Sequence, residues 1–142
     1  MTKFIPVAPD FSVAPQIGPE DFAAAAALGF KSIINNRPDG EAPGQLTSAK
    51  AEAAANSAGL TYRAIPVVMP FPASAIDAFA AALAQTPGPH LAYCRSGTRS
   101  ITLWAMARAK AGADPDALVK AAADAGYDLS GARATLAALG GG

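Results

Sequence analysis

The chain has 142 residues, with 11 basic and 11 acidic side chains and a formal net charge of zero at pH 7. A neutral chain of this length is expected to form one domain over residues 1–142, and it lacks the basic balance typical of proteins that bind nucleic acid or anionic membranes. A single cysteine excludes an internal disulfide. The sequence also has no apolar run of about 20 residues and no recognisable signal peptide. Together these features predict a cytoplasmic protein.

Short strands alternate with helices along the chain. Residues 4–17 predict one or two short strands at a sheet edge, interrupted by prolines. Further strands are predicted over residues 30–35, 62–68 and 88–93, and helices over residues 18–29, 47–59, 74–86, 100–111, 114–126 and 129–139. This order predicts an α/β fold with a mainly parallel sheet of four to five strands flanked by helices on both faces. The last two helices are predicted to serve only packing.

The only cysteine lies where a buried strand ends and a helix begins, in the stretch Tyr93-Cys94-Arg95-Ser96-Gly97-Thr98-Arg99-Ser100. At such a junction backbone N–H groups converge at a helix N-terminus, which favours anions. Two guanidinium groups and three hydroxyl groups add further donors. A thiol in this setting is expected to ionise more readily than an ordinary cysteine, so Cys94 is predicted to be a nucleophile inside an anion cradle.

A lone cysteine is often only a small buried apolar side chain. That interpretation is energetically costly here, because the charged and hydroxyl groups around Cys94 would lose their hydration on burial and gain only packing in return.

His90 lies four residues upstream of Cys94, about 13 Å along an extended strand. It is therefore predicted to be a surface residue at the strand start rather than an activator of the thiol. Tyr93, Trp104 and Met106 are predicted to lie in the core.

The most polar loop, residues 36–45, follows the strand over residues 30–35. Ligands bind at the carboxyl ends of parallel strands, so this loop is expected beside Cys94. Asp39 and Glu41 are candidates for a general acid or a substrate contact, with a solvated turn as the alternative. Arg37 either contacts a second anion or pairs with one of these acids. No cofactor is predicted, and one histidine with one cysteine does not make a structural zinc site.

Three segments resemble the DUF442 family, also called the beta-lactamase-hydrolase-like phosphatase-like domain. They are residues 13–16, 34–41 and 94–100, and the similarity covers roughly residues 5–112. The resemblance implies a fold similar to dual-specificity protein tyrosine phosphatases. Members of that family are labelled both phosphatases and sulfurtransferases, and some are fused to a metallo-beta-lactamase-type domain linked to persulfide oxidation. The resemblance therefore implies a metallo-beta-lactamase-type persulfide dioxygenase as a partner.

Two features favour sulfur transfer over phosphate hydrolysis. Cysteine phosphatases resemble one another in a His-Cys pair followed by five residues and an arginine, whereas here Tyr93 precedes Cys94 and four residues separate it from Arg99. Single-domain rhodaneses have a very similar short loop. Phosphatases of this fold often carry an aspartate general acid in the loop after the strand at 62–68. Here residues 68–73 form an apolar lip, with no carboxylate until Asp77.

The leading prediction is a sulfurtransferase that carries a persulfide on Cys94 and passes sulfane sulfur to a thiol or cyanide. Arg99 and the backbone of residues 95–100 are expected to bind the anion, and Arg95 to steer it. The alternative is a cysteine phosphatase with a Cys94 phospho-enzyme, in which Arg99 binds phosphate and Asp39 is the acid. A third possibility is a non-catalytic anion- or redox-sensing module. The expected substrate is a small anion: thiosulfate, a persulfide or a phosphate ester. The predicted substrate-binding residues are Arg37, Arg95, Ser96, Gly97, Thr98 and Ser100.

Overall fold

A computed structural model of the chain describes residues 3–141. Met1, Thr2 and Gly142 of the predicted domain lie outside these residues. One sheet of five strands has the order β1-β2-β5-β3-β4. Its strands are Ile5–Ala8 (β1), Phe11–Ala14 (β2), Ser32–Asn35 (β3), Thr61–Ala64 (β4) and His90–Tyr93 (β5). Only β1 runs antiparallel to its neighbour, so the predicted mainly parallel α/β sheet is confirmed.

Helices cover both faces of the sheet. They are Pro19–Ala27 (α1), Ser48–Ser57 (α2), Ala73–Gln85 (α3), Thr98–Lys110 (α4), Pro115–Asp124 (α5) and Arg133–Leu139 (α6), with a single 3₁₀ turn at Ser130–Ala132. Neighbouring strand residues face opposite sides: Ile33 packs with α1 and α2, whereas Ile34 packs with α3 to α6. Within residues 3–141, no helix is long and apolar enough to cross a membrane.

The helix starts follow from local chemistry. Pro19 and Pro115 occupy the first turns of α1 and α5, where the missing N–H costs nothing. Thr47 caps α2, because its Oγ1 accepts a hydrogen bond from the Lys50 N–H at 3.3 Å. The helix predicted over residues 74–86 begins one residue earlier, at Ala73, and Pro72 rather than a serine precedes it.

Other boundaries and positions also differ from the prediction. Of the two strands in residues 4–17, β1 lies at a sheet edge as predicted, whereas β2 is an interior strand, because β5 pairs with its other side. The strand predicted over 62–68 ends at Ala64, since Pro66 has no N–H to continue the ladder. His90 is buried, 4% exposed, rather than on the surface. Its Nε2 lies 2.9 Å from the Thr86 hydroxyl, which satisfies the ring inside the protein.

Candidate active site

Cys94 lies directly after β5, at the edge where the parallel strands have their carboxyl ends. The loops after β2 and β3 meet it there. The Gln16 N–H donates to the Arg95 carbonyl at 3.2 Å, and the Asn36 N–H donates to the Tyr93 carbonyl at 2.8 Å. The expectation that the polar loop after β3 lies beside the cysteine is therefore confirmed, and its cause is the parallel sheet.

The Cys94 sulfur is fully buried, yet it is not in a purely apolar environment. The Gly97 N–H donates a hydrogen bond to Sγ at 3.1 Å. Gly97 also precedes the first residue of α4, so the sulfur lies at that helix N-terminus. The thiol therefore lies at a strand-to-helix junction, as predicted, and one backbone N–H, that of Gly97, donates to it.

Arg99 is held in one orientation by two neighbours. Its Nη1 donates to Glu41 Oε2 and to the Val67 carbonyl, both at 2.9 Å, and its Nη2 donates to Glu41 Oε1 at 2.8 Å. A guanidinium group has five N–H donors. The three bonds to Glu41 and Val67 leave one hydrogen on Nε and one on Nη2 for other partners, among which is the Cys94 sulfur. These two point to the same side and form a fork that matches two oxygens of a phosphate.

The charge of Arg99 is fixed by the groups around it. The hydrogen bond from Arg99 to Glu41, and to a smaller extent the nearby Cys94 sulfur, raise the pKa of Arg99. The guanidinium group therefore stays charged and lies within electrostatic reach of the sulfur. This position suits a group that binds an anion next to the nucleophile.

Glu41 joins Arg99 to a second arginine. Arg37 Nε donates to Glu41 Oε1 at 3.0 Å, and Arg37 Nη1 donates to Gln16 Oε1 at 3.1 Å. The hydrogen bond from Arg99, followed by that from Arg37, lowers the pKa of Glu41 to about 2. Glu41 is thus ionised near neutral pH and holds no proton for a leaving group. Of the two roles left open for Arg37, the structure has the ion pair with an acid, and the Arg37 side chain is only 6% exposed.

The three predicted hydroxyl donors have different surroundings. Ser96 and Thr98 are exposed at the rim, and Ser96 Oγ donates to Thr98 Oγ1 at 3.0 Å. Ser100 is buried, and its hydroxyl donates to Asn36 Oδ1 at 2.8 Å, so it ties α4 to the loop after β3. Arg95 is exposed.

Asp39 lies in the polar loop but outside the network of Glu41 and the arginines. Its Oδ1 accepts a hydrogen bond from the Ser48 N–H at 2.8 Å, at the first residue of α2.

The apolar lip after β4 lies next to Arg99. Its side chains are largely exposed, with Val68 at 61% and Met69 at 55%. The Val67 carbonyl that holds Arg99 immediately precedes this lip.

Tyr127 is a site residue that sequence reasoning missed. It follows α5, and its hydroxyl donates to the Ser96 carbonyl at 2.8 Å. Tyr127 lies between the two helices for which only packing was predicted, so this part of the chain also contacts the cysteine loop. No spacing rule finds this contact, because the two residues are 31 positions apart and belong to separate elements.

Solved structures give the class of the fold. A Neisseria meningitidis protein described as a candidate phosphatase superposes with a TM-score of 0.84 and 32% identity, covering 95% of this chain and 96% of that one. A DUF442 protein of Shewanella putrefaciens, described in the same way, gives a TM-score of 0.69 at 20% identity, covering 87% and 93%. The fold is that of the protein-tyrosine-phosphatase type, as predicted.

The chain belongs to the family described as beta-lactamase hydrolase-like protein, phosphatase-like domain, whose family model matches residues 3–111. The predicted family is thereby confirmed. A beta-lactamase hydrolase-like protein of Agrobacterium fabrum is 47% identical over 90 residues, which are 63% of this chain and 21% of that protein. The chain thus matches about a fifth of the length of this curated relative.

The predicted sulfurtransferase activity is wrong. The family is phosphatase-like, and the Neisseria meningitidis structure, similar over almost the whole of both chains, is described as a candidate phosphatase. The prediction gave too much weight to the short loop between Cys94 and Arg99. Loop length alone does not show that Arg99 keeps a fork suited to phosphate oxygens, which depends on how Glu41 and Val67 hold it.

Proposed function

We propose that this chain is a cysteine-dependent phosphatase that hydrolyses phosphate monoesters through a phosphocysteine on Cys94. The observation that supports this most directly is the pairing of a buried sulfur, which accepts the Gly97 N–H, with the oriented fork of Arg99. The first group is placed to attack phosphorus, and the second to bind the oxygens that gain charge in the transition state. The phosphatase-like family and the Neisseria meningitidis neighbour support the same activity.

The reaction has two displacements. In the first, the Cys94 thiolate donates an electron pair to phosphorus, an S–P bond forms and the P–O bond to the organic group breaks. The leaving oxygen takes up one proton from a carboxylic acid. In the second, water gives one proton to the resulting carboxylate and attacks the phosphocysteine, the S–P bond breaks, and inorganic phosphate leaves with the thiolate and the carboxylic acid restored. The Arg99 fork and the N–H groups of the loop bind the non-bridging oxygens in both steps.

Asp39 is the proposed source of the proton for the leaving oxygen. Glu41 is ionised and bound by two arginines, so it serves to orient Arg99 instead. Asp39 Oδ1 is engaged with the Ser48 N–H, so Oδ2 is the oxygen assigned to carry the proton. A carboxylic acid in this role contributes about 10²- to 10⁴-fold where the leaving oxygen is strongly basic, and much less where it is not.

The organic part of the substrate is proposed to be aromatic or otherwise apolar. The exposed Val68 and Met69 border the Arg99 side of the site and offer an apolar contact next to the bound phosphate. Exposed Arg95, Ser96 and Thr98 border the mouth of the loop and are proposed to contact the anion as it enters. A phosphate ester with a flat apolar group satisfies both surfaces.

Further proposals concern the setting of the protein. The activity is assigned to a single domain over residues 1–142 that acts in the cytoplasm and requires no cofactor. A metallo-beta-lactamase-type domain is the proposed partner, since the family takes its name from beta-lactamase hydrolase-like proteins, of which this chain matches only a part.

Release of inorganic phosphate from an aryl phosphate tests the proposal. The wild type is expected to turn over, Cys94→Ser to lose at least about 10³-fold in kcat, and Arg99→Lys to lose about 10²-fold, because lysine lacks the planar fork. Arg63→Lys is the matched control, since the hydrogen bond shown for the Arg63 side chain among the residues described goes to the backbone carbonyl of Tyr62. Hydrolysis that survives Cys94→Ser, or a folded wild type that releases no phosphate, would contradict the proposal.

A further inference from the structure

Tyr127 contacts the backbone of the cysteine loop from outside the residues matched by the family model, which end at 111. Its hydroxyl donates to the Ser96 carbonyl at 2.8 Å. The same hydroxyl occupies the space in which a Cβ on residue 97 would lie, and Gly97 has φ = +94°. A side chain at residue 97 would thus be excluded both by backbone conformation and by Tyr127.

The Ser96 carbonyl and the Gly97 N–H belong to one planar peptide unit. In a trans peptide the C=O and N–H bonds point in opposite directions. When Tyr127 holds the carbonyl on the outer side of the loop, the N–H points inward, where it donates to Cys94 Sγ at 3.1 Å. We infer that Tyr127 is a positioning residue, which aims the Gly97 N–H at the nucleophile by fixing the peptide unit between Ser96 and Gly97.

The neighbouring peptide unit is held in the same manner. The Arg95 carbonyl accepts the Gln16 N–H at 3.2 Å, so the Ser96 N–H also points away from that outer contact. The side chains of Arg95 and Ser96 are exposed and give the loop little packing of its own. Two outer hydrogen bonds, from Gln16 and Tyr127, thus orient the two successive peptides that precede α4.

The tyrosine hydroxyl is suited to remain a donor. Burial above all, and the charge of the Cys94 sulfur as a smaller cause, raise the pKa of Tyr127. The phenol therefore keeps its proton across the neutral range. Phosphorylation or deprotonation of Tyr127 would remove the donor and release the Ser96 carbonyl.

Tyr127→Phe tests the assignment, because it keeps the ring and removes only the hydroxyl. The inference rests on the proposed role of Cys94 as nucleophile, so two of its readouts are independent of phosphatase activity. These are the rate of Cys94 alkylation by iodoacetamide at pH 7 and the amide ¹H shift of Gly97 in a ¹⁵N-labelled sample. We expect alkylation to slow by about fivefold to tenfold, as for loss of one well-placed hydrogen bond. We also expect an upfield shift of the Gly97 amide.

In the phosphatase assay, the same variant is expected to lower kcat by about tenfold with KM changed by less than about twofold, because the Gly97 N–H acts on the nucleophile and the transition state. Ser130→Ala is the matched control, since it removes one hydroxyl bond, to Asp128, in the same segment. An unchanged alkylation rate and Gly97 shift in folded Tyr127→Phe would overturn the inference. A wild type without phosphatase activity would contradict the proposed function but leave these two readouts decisive for Tyr127.

Discussion

Glu41→Gln is the substitution that most directly tests how Arg99 is oriented. It keeps the size of the side chain but removes the charge that binds Arg99 through two hydrogen bonds of 2.8 and 2.9 Å. Hydrogen bonds to charged groups contribute about 1.5–3 kcal/mol. The Arg99 and Glu41 side chains are 16% and 26% exposed, so water screens the pair and the lower end of that range applies. About 1.4 kcal/mol corresponds to a tenfold loss in kcat/KM.

The assay is kcat/KM for an aryl phosphate together with the inhibition constant of vanadate, which mimics the transferring phosphoryl group. Both are expected to worsen by about tenfold in Glu41→Gln, because the amide offers Arg99 one uncharged acceptor in place of two charged oxygens. Asp77→Asn is the control, since it removes the charge from an ion pair with Lys110 on the surface. Unchanged values would refute the orienting role. Higher activity would show instead that Glu41 competes with the substrate for Arg99.

Three further predictions concern groups that bind or transfer a proton: Glu41, His90 and Asp39. Glu41 has a folded-state pKa of about 2 against an ordinary value of 4.5, so its ion pairs stabilise the fold above pH 4.5 and are lost as the pH falls towards 2. The difference in Tm between wild type and Glu41→Gln should therefore shrink over that interval, and a difference independent of pH would contradict it. Burial lowers the pKa of His90 from 6.5, so the wild type should lose stability as the pH falls below 6.5. His90→Gln should lack this loss in thermal melts, and identical pH profiles would disprove the assignment. Asp39→Asn should lower kcat by about 10²-fold for alkyl phosphates but by less than about threefold for nitrophenyl phosphate, and equal effects on both esters would exclude Asp39 as the acid.

The alternation of strands and helices could be predicted because it depends on local signals. Pro19 and Pro115 at helix starts and Thr47 as a cap act within one turn of the chain. The position of β2 inside the sheet could not be predicted, because it depends on the insertion of β5, which is distant in sequence, between β2 and β3. The burial of His90 also depends on a tertiary contact, with the Thr86 hydroxyl.

The candidate site also has a part that could be predicted from the sequence and a part that could not. Cys94, Gly97 and Arg99 lie in one continuous stretch at a strand-to-helix junction, so their convergence could be predicted from the sequence. The Glu41 to Arg99 pair and the Tyr127 to Ser96 bond join residues 58 and 31 positions apart, which no local pattern indicates. The activity predicted from the sequence was wrong, because a short loop between Cys94 and Arg99 is compatible with both sulfur transfer and phosphate hydrolysis.

The most direct test of the phosphatase account is to trap the covalent intermediate. Wild-type protein mixed with an excess of aryl phosphate and quenched in acid within one turnover should carry one phosphoryl group on the peptide that contains Cys94, as measured by mass spectrometry. The modification should be absent from Cys94→Ser. Rapid phosphate release with no phosphocysteine at any quench time, or the phosphoryl group on a different residue, would contradict the assignment of Cys94 as the nucleophile.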